Sequence, residues 1–173
     1  AQALFESPKL GRLTSLNLDG CSLGPAELEQ LGDAANLSSL RVLSLNQNTL
    51  GDAGTRLLAE ARGLHSLQRL SLNRNLIGNA GLVAFAEAGP WSQLETLHLG
   101  SNAIGNGGFG ALIECGHFPA LVGIELSGNL MGDDSLWNLG RSRHFPALRV
   151  VDLAQVPARG EIIERVKQRF RNQ

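Results

Sequence analysis

The sequence predicts a right-handed α/β solenoid, a single file of modules with a parallel sheet on the concave face and helices on the convex face. Three observations carry this. The pattern L-x-x-L-x-L-x-x-N-x-L, clearest from Leu94 to Ile104, opens at Leu13, Leu40, Leu67, Leu94, Leu121 and Leu148, each 27 residues after the last. Within a copy the leucines alternate, as a short half-buried strand requires. After each copy the apolar residues switch to helical spacing.

The second repeat shows how each element is read. Leu40, Leu43 and Leu45 point inward around a strand, Asn48 ends it, and Leu50 returns the chain to the core. Gly51 makes the bend. Asp52 is expected to cap a helix over Ala53–Ala61, because its carboxylate can accept from free backbone N–H groups. The later repeats supply Asn79, Asn106 and Asp133 in that role. Leu31, Leu58, Phe85, Leu112, Leu139 and Val166 form a helix column. Leu10, Leu37, Leu64, Trp91, Phe118 and Phe145 form a column in the loop before each strand. Gly24, Gly51, Gly78, Gly105 and Gly132 form a third, read as a bend that a Cβ would hinder.

The asparagine column follows from hydrogen-bond accounting. Stacked turns bury backbone N–H and C=O groups, which must find partners. An amide both donates and accepts, so Asn48, Asn75, Asn102 and Asn129 are read as holding the stack.

The ends depart from the pattern. Residues 1–12 read as a partial repeat or N-terminal cap, since Leu4 and Leu10 keep the repeat phase. Residues 13–156 hold about six repeats. Val156 and Pro157 replace the expected asparagine turn, and residues 157–173 read as a C-terminal cap, with a helix over Glu161–Phe170. The whole of 1–173 is thus read as one repeat domain.

Composition narrows the partners. Net charge is −1, which argues against a dedicated nucleic-acid binder, and no apolar run is long enough to span a membrane. No Lys or Arg lies between Asn75 and Gly140, whereas Glu87, Glu95, Glu114, Glu125, Asp133 and Asp134 do. From Arg141 onward basic residues dominate. This is either a solvated surface with a charged end or an acidic docking face beside a basic tip. Cys21 and Cys115 are three repeats apart, roughly 14 Å at about 4.8 Å per strand, too far for a disulfide. Two unpaired, buried thiols fit a reducing, cytoplasmic compartment.

The runs Asn48-Thr49-Leu50-Gly51-Asp52-Ala53-Gly54 and Asn75-Leu76-Ile77-Gly78-Asn79-Ala80-Gly81 resemble the ribonuclease-inhibitor-like class of leucine-rich repeats. The linkers Glu6-Ser7-Pro8-Lys9-Leu10-Gly11-Arg12-Leu13 and His144-Phe145-Pro146-Ala147-Leu148, with the tail Glu164-Arg165-Val166-Lys167-Gln168-Arg169-Phe170, resemble those of bacterial repeat proteins of this class. The class resemblance covers roughly residues 10–156. It implies a curved solenoid that binds other proteins without catalysis. Geometry implies the curvature too. Strands stack about 4.8 Å apart and helices about 8–10 Å, so the sheet takes the inside of the bend.

The concave positions lie between the core leucines. The central row is Asn17, Ser44, Ser71, His98, Glu125 and Asp152, growing acidic toward its end. Flanking it are Arg69 on one side and Asn46 and Asn73 on the other. Asn46, Arg69, Ser71, Asn73, His98, Glu125 and Asp152 are therefore the expected partner-binding residues, in a protein-interaction scaffold. Trp137 shares an outward helix column with Glu29, Arg56, Val83 and Gly110. It is either a convex hot spot or covered by the final helix.

Other readings stay open. The domain could be the recognition part of a larger receptor or secreted effector. Ser71, His98 and Glu125 have the residue types of a hydrolytic triad, but a triad also needs contact, an oxyanion hole and a pocket. His98, Glu125 and Asp152 could hold a metal, though such sites usually show tighter ligand sets. No phosphate-loop, H-E-x-x-H or C-x-x-C motif is present, so no cofactor is expected. Asn36-Leu37-Ser38 is a glycosylation sequon, weak evidence in so common a tripeptide.

Overall fold

The computed structural model describes residues 11–29 and 35–171. Six three-residue strands form one sheet: β1 (Ser15–Asn17), β2 (Val42–Ser44), β3 (Arg69–Ser71), β4 (Thr96–His98), β5 (Gly123–Glu125) and β6 (Val150–Asp152). Every neighbouring pair is parallel, the order is that of the sequence, and each residue pairs with the one 27 ahead, as Leu43 does with Leu70. The helices are α1 (Pro25–Leu28), α2 (Gly51–Glu60), α3 (Asn79–Glu87), α4 (Asn106–Glu114), α5 (Asp133–Arg141) and α6 (Gly160–Arg171). Each helix packs on the next along the file. This is the α/β solenoid that the repeat predicts.

The leucine columns form the core. Leu58, Phe85, Leu112, Leu139 and Val166 are buried, as are Leu37, Leu64, Trp91, Phe118 and Phe145. Trp91 stacks on Phe85 at 4.6 Å between centroids, and Phe85 lies 6.0 Å from Phe118. Such pairs add about 0.5–1.5 kcal/mol beyond their buried area. Leu4, Leu10 and Leu31, and most of the expected N-terminal segment 1–12, fall outside the described residues.

The asparagines hold the stack as expected. Asn102 Nδ2 donates to Leu72 O of the preceding repeat at 3.0 Å and to Leu99 O of its own at 2.9 Å. Its Oδ1 accepts from Asn75 N and Ile77 N. Asn48 and Asn129 repeat this, accepting from Leu23 N and Ile104 N. Asn75 departs from it, because its buried Oδ1 has no partner. The phase of the column assigns that role to Leu50 N. Leu50 instead has helical backbone angles, Gly51 sits at φ +55°, and Gly51 N donates to Asn75 O. Helix α2 thus begins at Gly51, earlier than the expected Ala53.

The capping residues act one repeat further on than their sequence position suggests. Asp52, Asn79, Asn106 and Asp133 lie inside the first turn of their own helices, and the N-cap positions Leu50, Gly78, Gly105 and Gly132 make no side-chain cap bond. Asp52 Oδ1 accepts from Gly78 N at 2.7 Å. Asn79 Oδ1 accepts from Gly105 N and Gly108 N, Asn106 Oδ1 from Gly132 N, and Asp133 Oδ1 from Arg159 N. The physical reason is placement: parallel helices side by side bring the next repeat's free N–H groups within reach of these side chains. Among the described residues Glu27 alone serves its own helix in this way, accepting from Gly24 N, and that bond holds its carboxyl below the usual range.

Within the glycine column only Gly51, at φ +55°, makes the bend expected, and the other four members do not. Gly24, Gly78, Gly105 and Gly132 have φ of −119°, −102°, −106° and −101°, which any residue can adopt. A Cβ at Gly78 would come within 3.2 Å of the Asp52 carboxylate, so this glycine clears space for the incoming cap, whereas at Gly24, Gly105 and Gly132 a Cβ would make ordinary contacts. The left-handed column lies elsewhere, at Gly20, Gln47, Arg74, Ser101, Gly128 and Gln155, with φ between 54° and 64°. Both cysteines are free, as expected, but Cys21 is exposed rather than buried. Half-burial of Cys115 pushes its thiol pKa up.

The final helix, Gly160–Arg171 rather than Glu161–Phe170, is clasped at both ends. Asp133 pairs with Arg159, just before α6, and Arg169 donates to the carbonyls of Leu139, Gly140 and Ser142 at the end of α5. The Arg159 backbone N–H and guanidinium hold the Asp133 carboxyl below its ordinary range.

Two outcomes follow from this packing. A Cβ at Gly81 would lie 2.9 Å from Asp52 Cα, and one at Gly108 2.8 Å from Asn79 Cα. Gly81→Ala and Gly108→Ala should each lose about 1–3 kcal/mol in urea unfolding, because backbone must shift. A depressed folded-state pKa gives stability that is full above the ordinary carboxylate range and lost as pH falls through the lowered value. The protection factors of the α6 amides, which correct for the slower intrinsic exchange in acid, should therefore fall on acidification below that range. In Asp133→Ala, which removes both the acceptor and the charge, they should already be low at neutral pH.

Candidate functional site

Alternation in each three-residue strand turns the middle residue, such as Leu70 or Leu97, toward the core and its two neighbours outward. The register then sets Ser71 beside His98, His98 beside Glu125, and Glu125 beside Asp152 on four adjacent strands. Arg69 and Asp152 are exposed, whereas Asn46, Ser71, Asn73, His98 and Glu125 are partly covered. The face therefore carries a cation on β3 and carboxylates on β5 and β6.

Two of the expected binding residues have structural work. Asn46 Oδ1 accepts from Asn73 N at 2.8 Å, and Asn73 Oδ1 accepts from Gly100 N at 2.6 Å. Asp19 heads this ladder, accepting from Asn46 N and Ser44 Oγ. Burial raises its pKa, but the bonds from Ser44, Asn46 and Asn17 outweigh that and hold it low. The ladder ends at Gly100, which has no side chain to continue it. Glu125 fills the gap, with Oε2 accepting from Asn73 Nδ2 at 3.0 Å and Oε1 from Ser127 Oγ at 3.1 Å. A Cβ at Gly100 would sit 2.6 Å from Glu125 Oε1, so this glycine lets the carboxylate lie down across the sheet.

Ser71, His98 and Glu125 do come together, but not as a proton relay. Ser71 Oγ is 3.4 Å from His98 Nδ1, and Glu125 Oε2 is 3.6 Å from the same nitrogen. A relay needs the serine on one ring nitrogen and the carboxylate on the other. The metal alternative also lacks geometry: among the described residues no three His, Cys, Asp or Glu side chains converge, His98, Glu125 and Asp152 included.

What the face offers is a shallow hollow of about 230 Å³, lined by Thr96, His98, Gly123, Ile124, Glu125, Val150 and Asp152. Gly123 opens it by leaving the space between Thr96 and Val150 unfilled. Val150 is 62% exposed, an apolar side chain beside two carboxylates. Gly123 and Val150 share the concave row of Arg69 but are not among the seven residues expected to bind. The available signal was a glycine at a strand position where other repeats carry side chains.

Trp137 is 40% exposed, and Arg165 of α6 lies over its ring at 4.6 Å. The final helix thus covers one face of the ring and leaves the rest open. Among the described residues no helix is long and apolar enough to cross a membrane.

A family model described as "Leucine Rich repeat" matches residues 36–59, 63–86 and 93–112, within the second, third and fourth repeats. The matched segments are leucine-rich repeats, and the fold is that of a leucine-rich-repeat solenoid. No curated protein sequence matches it. Among solved structures, a TLR13–ssRNA13 complex is 19% identical with a TM-score of 0.36, over 86% of this chain and 30% of that one. An internalin, inlF, from Listeria monocytogenes is 16% identical with a TM-score of 0.33, over 94% of this chain and 62% of that one. This chain therefore spans less than two thirds of either, and at these scores neither likeness carries a function across.

The Glu125 network gives one expected outcome. Gly100→Ala should displace the carboxylate from Asn73 and Ser127. It should lower stability by about 1–3 kcal/mol, while Gly110→Ala, with open space at its Cβ, does not.

Proposed function

We propose that the chain is a non-catalytic protein-interaction module that engages a protein partner through the concave face of β3 to β6. The observation that carries this reading is the exposed Val150 in a glycine-floored hollow rimmed by His98, Glu125 and Asp152. An apolar floor with an acidic rim suits a partner side chain with an aliphatic stem and a cationic head. Arg69 at the other end of the face suits a carboxylate. Ser71 lies between them, and Asn46 and Asn73 hold the framework. The same carboxylates disfavour nucleic acid, whose phosphates they repel. The nine- and ten-residue helices of α2 to α5 support the ribonuclease-inhibitor-like subtype. Two free thiols favour the cytoplasm, and no cofactor is needed in this reading.

The test is capture of binding proteins by the wild-type chain beside a variant with Arg69→Ala, His98→Ala and Glu125→Ala together. A partner of the concave face should bind the variant at least tenfold more weakly, and Gly123→Leu, which fills the hollow, should act in the same direction. Undiminished capture by both would move the binding surface to the loops or the helices.

A further inference from the structure

The last two helices form a groove that the concave reading does not use. Two hollows open between α5 and α6, of about 190 Å³ and 510 Å³. They share Trp137, Ile162 and Arg165 and differ in charge. The smaller adds Arg141 and Arg169, whereas the larger adds Asp133, Asp134, Arg159 and Glu161. Arg159 is engaged by both Asp133 and Glu161, which leaves the second half acidic. At the join stands Trp137, in a column that earlier repeats fill with Glu29, Arg56, Val83 and Gly110.

We propose that this groove is a second docking site, which takes a peptide segment of a partner protein with an acidic residue and a basic residue on either side of an apolar one. The apolar side chain would lie on the open part of Trp137, whose ring is large, stiff and half in water. The acidic residue would meet Arg141 and Arg165. Arg141 is exposed and, among the described residues, makes no ion pair. Arg165 can stay stacked on the indole while its edge N–H groups donate to a carboxylate. Arg169 spends its donors on carbonyls at the end of α5 and adds mainly charge. The basic residue would meet Asp134 and Glu161. The two-signed charge chooses this occupant. A nucleic acid or an all-acidic peptide would be attracted at one end and repelled at the other. This site does not depend on the concave reading.

The experiment is selection of a random dodecapeptide library on the full chain, with counter-selection on Trp137→Leu. Enriched peptides should carry acidic, apolar and basic residues in that cluster, and a labelled copy should bind saturably in anisotropy. The same peptide should shift wild-type tryptophan fluorescence. The chain has two tryptophans and Trp91 is fully buried, so the signal reports Trp137. Arg165→Glu should weaken binding at least tenfold. The concave triple variant should leave it unchanged, so this site and the concave one fail separately. If Trp137→Leu lowers the thermal midpoint, Arg141→Gln, at an exposed residue, reads the same interaction without touching the packing. Three results would overturn the proposal: no enrichment over Trp137→Leu, enrichment of peptides with one sign of charge, or tighter binding of a twelve-residue oligothymidylate than of the selected peptide.

Discussion

The stack depends on one constraint: a turn buried between two repeats must have its backbone groups satisfied by the neighbour. Asparagine meets it because a single amide donates to one loop and accepts from another. Asn102 serves Leu72 O on one side and Asn75 N and Ile77 N on the other. An aspartate could accept but not donate, and a leucine could do neither. The leucines supply the burial that makes stacking favourable, and the asparagines set the spacing at which it can occur.

The same dependence governs the helices. Each first-turn polar residue caps the helix after its own, so no helix start from α3 to α5 is complete without the repeat before it. Glycines at Gly78, Gly81 and Gly108 clear the space these caps need. The result is nearest-neighbour coupling of the kind that makes repeat stability a sum over interfaces. The junction of the second and third repeats is the exception, where an early helix start leaves Asn75 Oδ1 buried without a partner.

Because the core leucines and asparagines are committed to stacking, the remaining positions are free to vary, and charge is distributed over them unevenly. On the sheet, Glu125 lies flat over Gly100 and narrows the face, while Gly123 and Val150 open it again one step away. At the end of the file, basic residues of α6 meet acidic residues of α5 across Trp137. Both proposed docking surfaces fall at such departures from the repeat.

The sequence by itself determined the solenoid, the register and the core. A period of 27 admits one in-register stacking, and alternation fixes which leucines turn inward. It also placed Ser71, His98, Glu125 and Asp152 in one row. Only the tertiary structure decided what those side chains do. A repeat pattern gives column membership but not the direction of a polar side chain, which depends on the neighbours across the gap. So Asp52 and Asn79 were legible as caps but not as caps of the following helix. Asn46 and Asn73 were legible as surface residues but not as a ladder, and the row gave the types of a relay while both partners of His98 meet one nitrogen. The hollow over Gly123 was hidden for the same reason, since it is made by the absence of a side chain between two strands.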